Sequence, residues 1–260
     1  MDLGMPALLE LDGAEPCAAL CRELRLRFIE LNLNLPAYQP GEADVPSLRS
    51  IAEKYGIYYT IHMDENLNPW DFNPRVAEAY RQAAEEAIGL ARALEAPVLT
   101  MHLPAGVYFT LPEGRSYLFA RCRDRYLHAA EAFRDRCTAA LAGTGTVLCV
   151  ENTGGFQPFQ REALELLLES PAFGLTLDAG HSHAAGGVDE PLMTSDRLRH
   201  MHLHDAQGRR DHLALGTGEV DWPKYLSLAE ERHCRVVLET KTAAALRQSA
   251  DALRAAGELT

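Results

Sequence analysis

Residues 174–181, GLTLDAGH, join a short apolar run to an aspartate and a histidine, and the same arrangement returns along the chain. IYYTIH ends at His62, PVLTMH ends at His102 and TVLCVE ends at Glu151. Similar runs are FIEL from Phe28, RHMHLH from Arg199 and RVVLE from Arg235, with a weaker one over residues 3–11. Continuous apolar character, rather than strict alternation, is typical of strands that are covered on both faces of a parallel sheet.

The segments between these runs have the period of amphipathic helices. After Pro74, apolar residues recur three or four positions apart as far as Leu94, and Pro74 itself suits a first helical turn. A second apolar stripe runs from Leu118 through Cys122 to Cys137, with charged residues on the other faces. We therefore predict a helix after most of the strands.

Alternation of strand and helix, eight times in about 250 residues, is the pattern of a (β/α)8 barrel. We predict an α/β fold with one (β/α)8 TIM-barrel domain over residues 1–260, its site at the carboxyl ends of the strands. An open doubly wound sheet is the alternative. No strand is followed by GxGxxG or by a P-loop, so nucleotide-binding folds receive no support.

Composition limits the class of partner. The 260 residues include 25 Lys and Arg against 37 Asp and Glu, a net charge of −12, which argues against a broad nucleic-acid surface.

The first residues lack the basic segment of a secretory signal, and no apolar run reaches the ~18 residues of a membrane span. Six scattered cysteines without a CxxC pair indicate reduced thiols. We expect a cytoplasmic protein without membrane association, and its oligomeric state is left open.

Polar side chains stand at the carboxyl ends of the predicted strands: Asn32, His62, His102, Glu151, Asp178 with His181, His202 and Glu239. A parallel barrel gathers these ends into one rim, where such folds place their sites. Carboxylates crowded together in a buried site need a cation to offset their repulsion. The sequence therefore predicts a metal site.

The ligands can be assigned further from residue type. Glu151, Asp178 and Glu239 offer hard oxygen donors and His202 offers one imidazole nitrogen, a set that suits Mn, Mg, Co or Zn. His200, His202 and His204 alternate along one strand and share a face, so they cannot all bind one ion. We place His202 at the rim and His200 deeper. His204 and Asp205 are candidates for contacts to the ligands or to substrate.

Three segments of the sequence resemble those of a known family. DAGHSHAAGG, MHLHDAQGRRDHLALGTGEVDW and LETK are similar to the xylose isomerase-like barrel superfamily, which contains sugar isomerases and epimerases and the endonuclease IV family. The resemblance implies that Glu151, Asp178, His202 and Glu239 hold a shared catalytic metal. It also implies that His181 and His212 lie beside the metal and that His62 and His102 line the opposite wall.

The resemblance implies, first, isomerisation or epimerisation of a small sugar, sugar phosphate or hydroxy-ketone through an enediolate. Glu151 and Glu239 would be the acid/base pair, and His181 would bind a substrate oxygen. The chain departs from those epimerases at Gln157, where they have a glutamate, and at Gly208, where they have an arginine. ENTGG also lacks the lysine of hydride-shift isomerases.

The resemblance implies, second, hydrolysis of phosphodiesters at abasic DNA sites, as in the endonuclease IV family. Eight of that family's nine zinc ligands have counterparts here: His62, His102, Glu151, Asp178, His181, His202, His212 and Glu239. The ninth position holds Arg210, which would repel a third zinc, although Asp211 is adjacent. We rank this hydrolysis below the isomerase, and a barrel that binds metal or sugar without turnover is a third hypothesis.

Two smaller features have two interpretations each. The LGTG segment, residues 215–218, either offers backbone N–H groups to a substrate phosphate or only forms a turn. Trp70 and Phe72 either form an apolar wall against a sugar or cover the edge of the barrel.

Overall fold

The computed structural model describes residues 1–259 and contains a closed barrel of eight parallel strands. In chain order the barrel strands are β1 (Asp2–Pro6), β2 (Phe28–Asn32), β3 (Tyr58–His62), β4 (Val98–His102), β7 (Val147–Glu151), β8 (Phe173–Asp178), β9 (Leu198–Leu203) and β12 (Arg235–Leu238). Two antiparallel hairpins follow β4 and β9, namely β5 (Tyr108–Leu111) with β6 (Gly114–Tyr117) and β10 (Asp205–Gln207) with β11 (Arg210–Leu213). Because β1 pairs with both β2 and β12, the sheet is closed and the open-sheet alternative is wrong. The predicted barrel is confirmed.

Helices cover the outside of the barrel. They are α1 (Ala14–Glu23), α2 (Val45–Tyr55), α3 (Pro74–Leu94), α4 (Leu118–Arg121), α5 (Arg123–Leu141), α6 (Pro158–Leu168), α7 (Ala179–Ala184), α8 (Glu190–Met193), α9 (Trp222–Glu231) and α10 (Ala243–Ala256). Helix α3 begins as predicted, with Pro74 in its first turn and the Asn73 side chain accepting a hydrogen bond from the N–H of Arg75. No helix within residues 1–259 is long and apolar enough to span a membrane.

The second predicted stripe is partly wrong. The helix is interrupted at Cys122, which has a non-helical backbone and an exposed side chain, so the buried stripe of α5 begins only at Tyr126. The interruption lets Phe119 turn inward and stack on Tyr126, with ring centroids 4.6 Å apart. The first strand is also shorter than the predicted run over residues 3–11, because the chain leaves the sheet after Pro6 and exposes Leu9.

Trp70 covers the barrel and does not line the site. Its side chain is fully buried and makes edge contacts to Tyr126 and Phe133, at centroid distances of 5.9 and 5.4 Å. Phe72 likewise packs on Phe119. The interpretation of this pair as a wall against a sugar is therefore replaced by a packing role against α4 and α5.

Strand register fixes which side chains meet at the mouth of the barrel. His102 of β4 is level with Glu151 of β7, and Asp178 of β8 is level with His202 of β9. One layer deeper, Glu30 of β2 is level with Thr60 of β3. The carboxyl ends of all these strands lie at the same end of the barrel. Polar residues that are distant in sequence therefore become neighbours there.

Candidate metal centre

Four side chains meet at the carboxyl ends of the barrel strands. Glu151 ends β7, Asp178 ends β8, His202 lies on β9 and Glu239 follows β12 directly. Their ligand atoms all lie within 4.8 Å of one another. Nδ1 of His202 is 3.2 Å from Oε1 of Glu151 and 3.1 Å from Oε2 of Glu239. The structure thus brings together the four residues that the sequence predicts as metal ligands.

Unpaired polar atoms within this cluster indicate that a cation fits it. Nδ1 of His202, Oε2 of Glu239 and Nδ1 of the neighbouring His181 are buried without an aligned hydrogen-bond partner. Buried polar groups in proteins are almost always paired, so three such atoms around one point need an explanation. Three carboxylates and one imidazole form a donor set for a divalent ion, which would satisfy the atoms of His202 and Glu239 together and leave Nδ1 of His181 for another ligand.

The charges of the cluster favour the same interpretation. Burial would raise the pKa values of Glu151 and Glu239, but the charge of His202 close to both carboxylates outweighs burial and holds both pKa values well below their usual range. Burial would lower the pKa of His202, yet the surrounding carboxylates raise it well above its usual value. Positive charge at the centre of the carboxylates is therefore strongly favoured, and a divalent cation would supply it in place of the proton.

A second wall of the mouth consists of His62 and His102. Nε2 of His62 lies 3.1 Å and Nε2 of His102 lies 3.4 Å from Oε2 of Glu151. Nδ1 of His62 donates to the carbonyl oxygen of Met63 at 2.8 Å, which fixes the orientation of the ring. Burial would lower the pKa of His62, but the hydrogen bond to Glu151 and its charge raise that pKa to about 9.

A third group, on the opposite side of the mouth, combines His181, Asp211 and His212. Nδ1 of His181 lies 3.6 Å from Oδ2 of Asp178, and its Nε2 lies 3.5 Å from Oδ2 of Asp211. His212 has a left-handed backbone with φ of 53°, and its Nε2 lies 3.4 Å from Oε1 of Glu239. These residues border the central cluster, as the sequence predicts.

His204 holds Asp178 in place. Its Nε2 donates to Oδ2 of Asp178 at 3.0 Å, and its Nδ1 accepts the backbone N–H of His212 at 2.8 Å. The ring also stacks on that of His212, with centroids 4.3 Å apart. Because both ring nitrogens are occupied, the structure favours a contact to a ligand over direct binding of an ion.

The model of the family described as "Xylose isomerase-like TIM barrel" matches residues 18–256. The chain belongs to this family. Among solved structures, the barrel superimposes on a D-tagatose 3-epimerase-like protein with a TM-score of 0.79 and 22% identity, over 99% of this chain and 97% of that one. It superimposes on the IOLI protein with a binding zinc atom with a TM-score of 0.76 and 15% identity, over 100% and 99% of the two chains. D-psicose 3-epimerase with D-tagatose, from Clostridium cellulolyticum H10, gives a TM-score of 0.72 and 13% identity, over 100% and 99%.

The positions where this xylose isomerase-like chain departs from its expected relatives have structural uses here. Gln157 caps α6, in a reciprocal arrangement with Gln160. The Asn152 side chain accepts the N–H of Asp178 at 2.9 Å and donates to its carbonyl oxygen at 3.0 Å. Arg210 is exposed on the hairpin strand β11, and its neighbour Asp211 is the residue that reaches His181 and His212.

The LGTG segment forms a turn closed by Asp205. The carboxylate of Asp205 accepts the backbone N–H groups of four residues at 2.8–2.9 Å, namely Ala206, Gly216, Gly218 and Val220. A Cβ atom at Gly218 would overlap the backbone of Ala206. The N–H groups of both glycines are therefore occupied within the protein, and the interpretation as a phosphate site is not supported.

Glu30 is a buried residue of this region that was not among the site residues predicted from the sequence. This residue lies in the middle of β2, is 3% exposed, and contacts His200, His202 and Thr60. An acidic residue within an apolar strand was the available signal, because a buried carboxylate is costly unless it is paired. Beside the mouth, a cavity of about 380 Å³ is lined on one part by apolar residues that include Leu8 and Leu35 and on another by Asn32, Glu239 and Lys241.

Proposed function

We propose that this chain is a divalent-metal-dependent isomerase or epimerase of a small sugar, sugar phosphate or hydroxy-ketone. The observation that carries the proposal is the convergence of Glu151 and Glu239, from two different strands, on Nδ1 of His202 at 3.2 and 3.1 Å. Two carboxylates that approach one point from different strands can act on the two faces of one substrate carbon. A barrel that only binds a sugar has no need for such a pair.

In this mechanism Glu151 and Glu239 are the acid/base pair. One glutamate, as the carboxylate, removes the proton from the carbon next to the substrate carbonyl. The other, as the carboxylic acid, gives a proton to the opposite face of that carbon, and each then exchanges its proton with solvent. Glu151, Asp178, His202 and Glu239 would hold a divalent ion, which would supply positive charge for the substrate oxygens. His181, whose Nδ1 is buried and unpaired, is placed to donate a hydrogen bond to a substrate oxygen.

The neighbouring cavity has the size for a small substrate, and its lining combines apolar side chains with a few polar groups. About 380 Å³ is within the range of small-molecule sites. The amide groups of Asn32 and Asn34 and the amine of Lys241 line it, and Nζ of Lys241 lies 2.7 Å from Oε1 of Glu239. Hydroxyl and carbonyl oxygens of a sugar match such groups. The sugar epimerases among the structurally similar proteins support the same substrate class.

The test combines metal analysis with detection of proton transfer. Purified protein is analysed for metal, loaded with Mn²⁺, Mg²⁺, Co²⁺ or Zn²⁺, and incubated in D₂O with a panel of ketoses and their phosphates. We expect one ion per chain. We also expect deuterium to enter the substrate at a carbon adjacent to the carbonyl, which is detected by NMR. Metal-loaded protein that exchanges no proton in any member of the panel would contradict the proposal.

An abasic-site endonuclease is the second candidate, favoured by one observation. Besides the central cluster, His62, His102 and Glu151 form a group that could hold a metal ion, and His181, His204 and His212 form another. Against it stand the exposed Arg210 and the net charge of −12, which repels DNA. Three ions per chain together with cleavage of an abasic duplex would favour this function, whereas one ion and no cleavage favour the isomerase.

A further inference from the structure

Glu30 makes three contacts inside the barrel, one layer below the candidate metal centre. Its Oε2 accepts hydrogen bonds from Oγ1 of Thr60 and from Nε2 of His200, both at 2.9 Å. Its other oxygen, Oε1, lies 2.8 Å from Nε2 of His202. Thr60 and His200 thus fix one oxygen of Glu30. The second oxygen faces the imidazole of His202, a candidate metal ligand.

The His202 ring stands between two sets of carboxylates. Its Nδ1 faces Glu151 and Glu239, and its Nε2 faces Glu30. A neutral imidazole carries one proton, and the nitrogen that binds a metal must be the one without it. If Nδ1 binds the ion, the proton must lie on Nε2. This nitrogen is buried without an aligned hydrogen-bond partner, and Oε1 of Glu30, 2.8 Å away, is the carboxylate oxygen placed to accept its proton.

We propose that Glu30 is a positioning residue for the metal ligand His202. The carboxylate holds the proton on Nε2, keeps Nδ1 free and aimed at the ion, and adds negative charge on the far side of the ring. Thr60 and His200 fix the carboxylate in turn. This inference rests on the proposed metal site, and it assigns no contact between Glu30 and substrate.

The division of contacts between the two oxygens distinguishes this role from simple packing. A carboxylate needed only to pair His200 and Thr60 would use Oε2 alone, since both bonds end there. Oε1 lies instead within 2.8 Å of the fully buried His202. Carboxylates behind a metal-binding histidine orient the ring and raise its basicity, and their loss typically costs 10–100-fold in metal affinity.

The variant Glu30→Gln tests the role with little change of shape. The amide keeps one oxygen, so it cannot accept from Thr60 and His200 and also present an oxygen to His202, and it has no charge. Thr100→Val is the matched control, because Thr100 is a buried polar residue of the same barrel whose hydroxyl is bonded to Thr176 at 3.0 Å. The affinity of each folded protein for Zn²⁺ and Mn²⁺ is measured by competition with a chelating dye.

We expect Glu30→Gln to weaken metal binding about 10–100-fold and Thr100→Val to leave it within about 2-fold. A folded Glu30→Gln protein that binds the ions as tightly as the wild type would overturn the inference. A wild type that binds neither ion would overturn the metal site as well, so the two failures are distinguishable.

A second measurement needs no variant and stays valid if Glu30→Gln fails to fold. Nitrogen-15 NMR of the zinc-loaded wild type reports which nitrogen of His202 carries the proton. We expect a proton on Nε2 that exchanges slowly with solvent. A proton on Nδ1, or zinc bound through Nε2, would overturn the role of Glu30.

Discussion

Nδ1 of His202 lies 3.1 Å from Oε2 of Glu239, and both atoms are buried without an aligned hydrogen-bond partner. Leaving a buried polar group unpaired costs about 1–3 kcal/mol, and more when the group is charged. The strands place the two atoms at this distance because β9 and β12 are neighbours in the closed sheet. An ion between the two side chains would give both atoms a partner.

The variant His202→Ala is expected to lose metal. Removal of the only nitrogen donor of the central cluster leaves three carboxylates, whose mutual repulsion is no longer offset by an imidazole. Elemental analysis after dialysis should show that the variant retains only a small part of the metal bound per chain in the wild type. His128→Ala, which changes an exposed histidine of α5, should retain wild-type metal content. Unchanged occupancy in His202→Ala would refute the ligand role.

The variants Glu151→Gln and Glu239→Gln are expected to lose turnover without loss of the fold. Each removes a proton-transfer group, a change that typically costs 10²–10⁴-fold in rate. Because each also removes a charge from the ion, kcat should be compared at saturating metal. Glu219→Gln is the control, since Glu219 lies on the exposed loop before α9. Normal kcat in either glutamate variant would rule out the paired-carboxylate mechanism.

The ring of polar strand ends was predictable because it depends on a general property of parallel barrels. Once GLTLD, TVLCVE and RHMHLH are recognised as parallel strands, their carboxyl ends must meet, whatever the loops do. Asp178, Glu151 and His202 are neighbours for this reason alone. Periodicity placed α3 equally well, whereas it failed at Cys122, because apolar spacing does not detect a local break in a helix.

Loop and interior contacts were not predictable, because they depend on pairings across long stretches of chain. Asp205 accepts N–H groups from residues 11 to 15 positions later, and sequence alone left the function of the LGTG segment open. Glu30 pairs with histidines 170 and 172 positions away. Its place within FIEL gave the only signal, and the partner was identifiable only once the barrel was closed.

Gly180→Ala and Gly89→Ala should have opposite effects on stability. A Cβ atom at Gly180 would overlap the imidazole of His204, so the ring must move and release Asp178. We expect a loss of about 1–3 kcal/mol in the free energy of unfolding. Gly89 is exposed within α3 with open space at its Cβ position, so alanine should add about 0.5–1 kcal/mol. Urea denaturation of both variants checks the difference, and equal stabilities would contradict the steric argument.

The variant Asp205→Ala is expected to destabilise the loop that closes the seventh strand-to-helix connection. It leaves four backbone N–H groups without their acceptor, each costing about 1–3 kcal/mol where water cannot replace the carboxylate. Hydrogen exchange should become faster at Gly216, Gly218 and Val220. Asp221→Ala, which removes only the cap of α9, should leave those three amides protected. Unchanged protection in Asp205→Ala would show that the turn is held by other contacts.

Glu190 should make a contribution to the stability of the fold that is lost at low pH. Its Oε1 accepts a hydrogen bond from the hydroxyl of Tyr225 at 2.9 Å and lies 2.7 Å from Nζ of Lys224. These two contacts join α8 to α9. Burial would raise the pKa of Glu190, but these two partners lower it below its ordinary value of 4.5.

A carboxyl group with a lower pKa in the folded state stabilises the fold above its unfolded pKa, and this contribution is lost as the pH falls through the folded value. Glu190→Gln should therefore be less stable than the wild type by about 1 kcal/mol at pH 7. The difference should shrink progressively below pH 4.5. Glu165→Gln, at an exposed position of α6, should show no such difference at either pH. A Glu190→Gln deficit that persists unchanged at low pH would mean that packing, rather than the charge, holds α8 against α9.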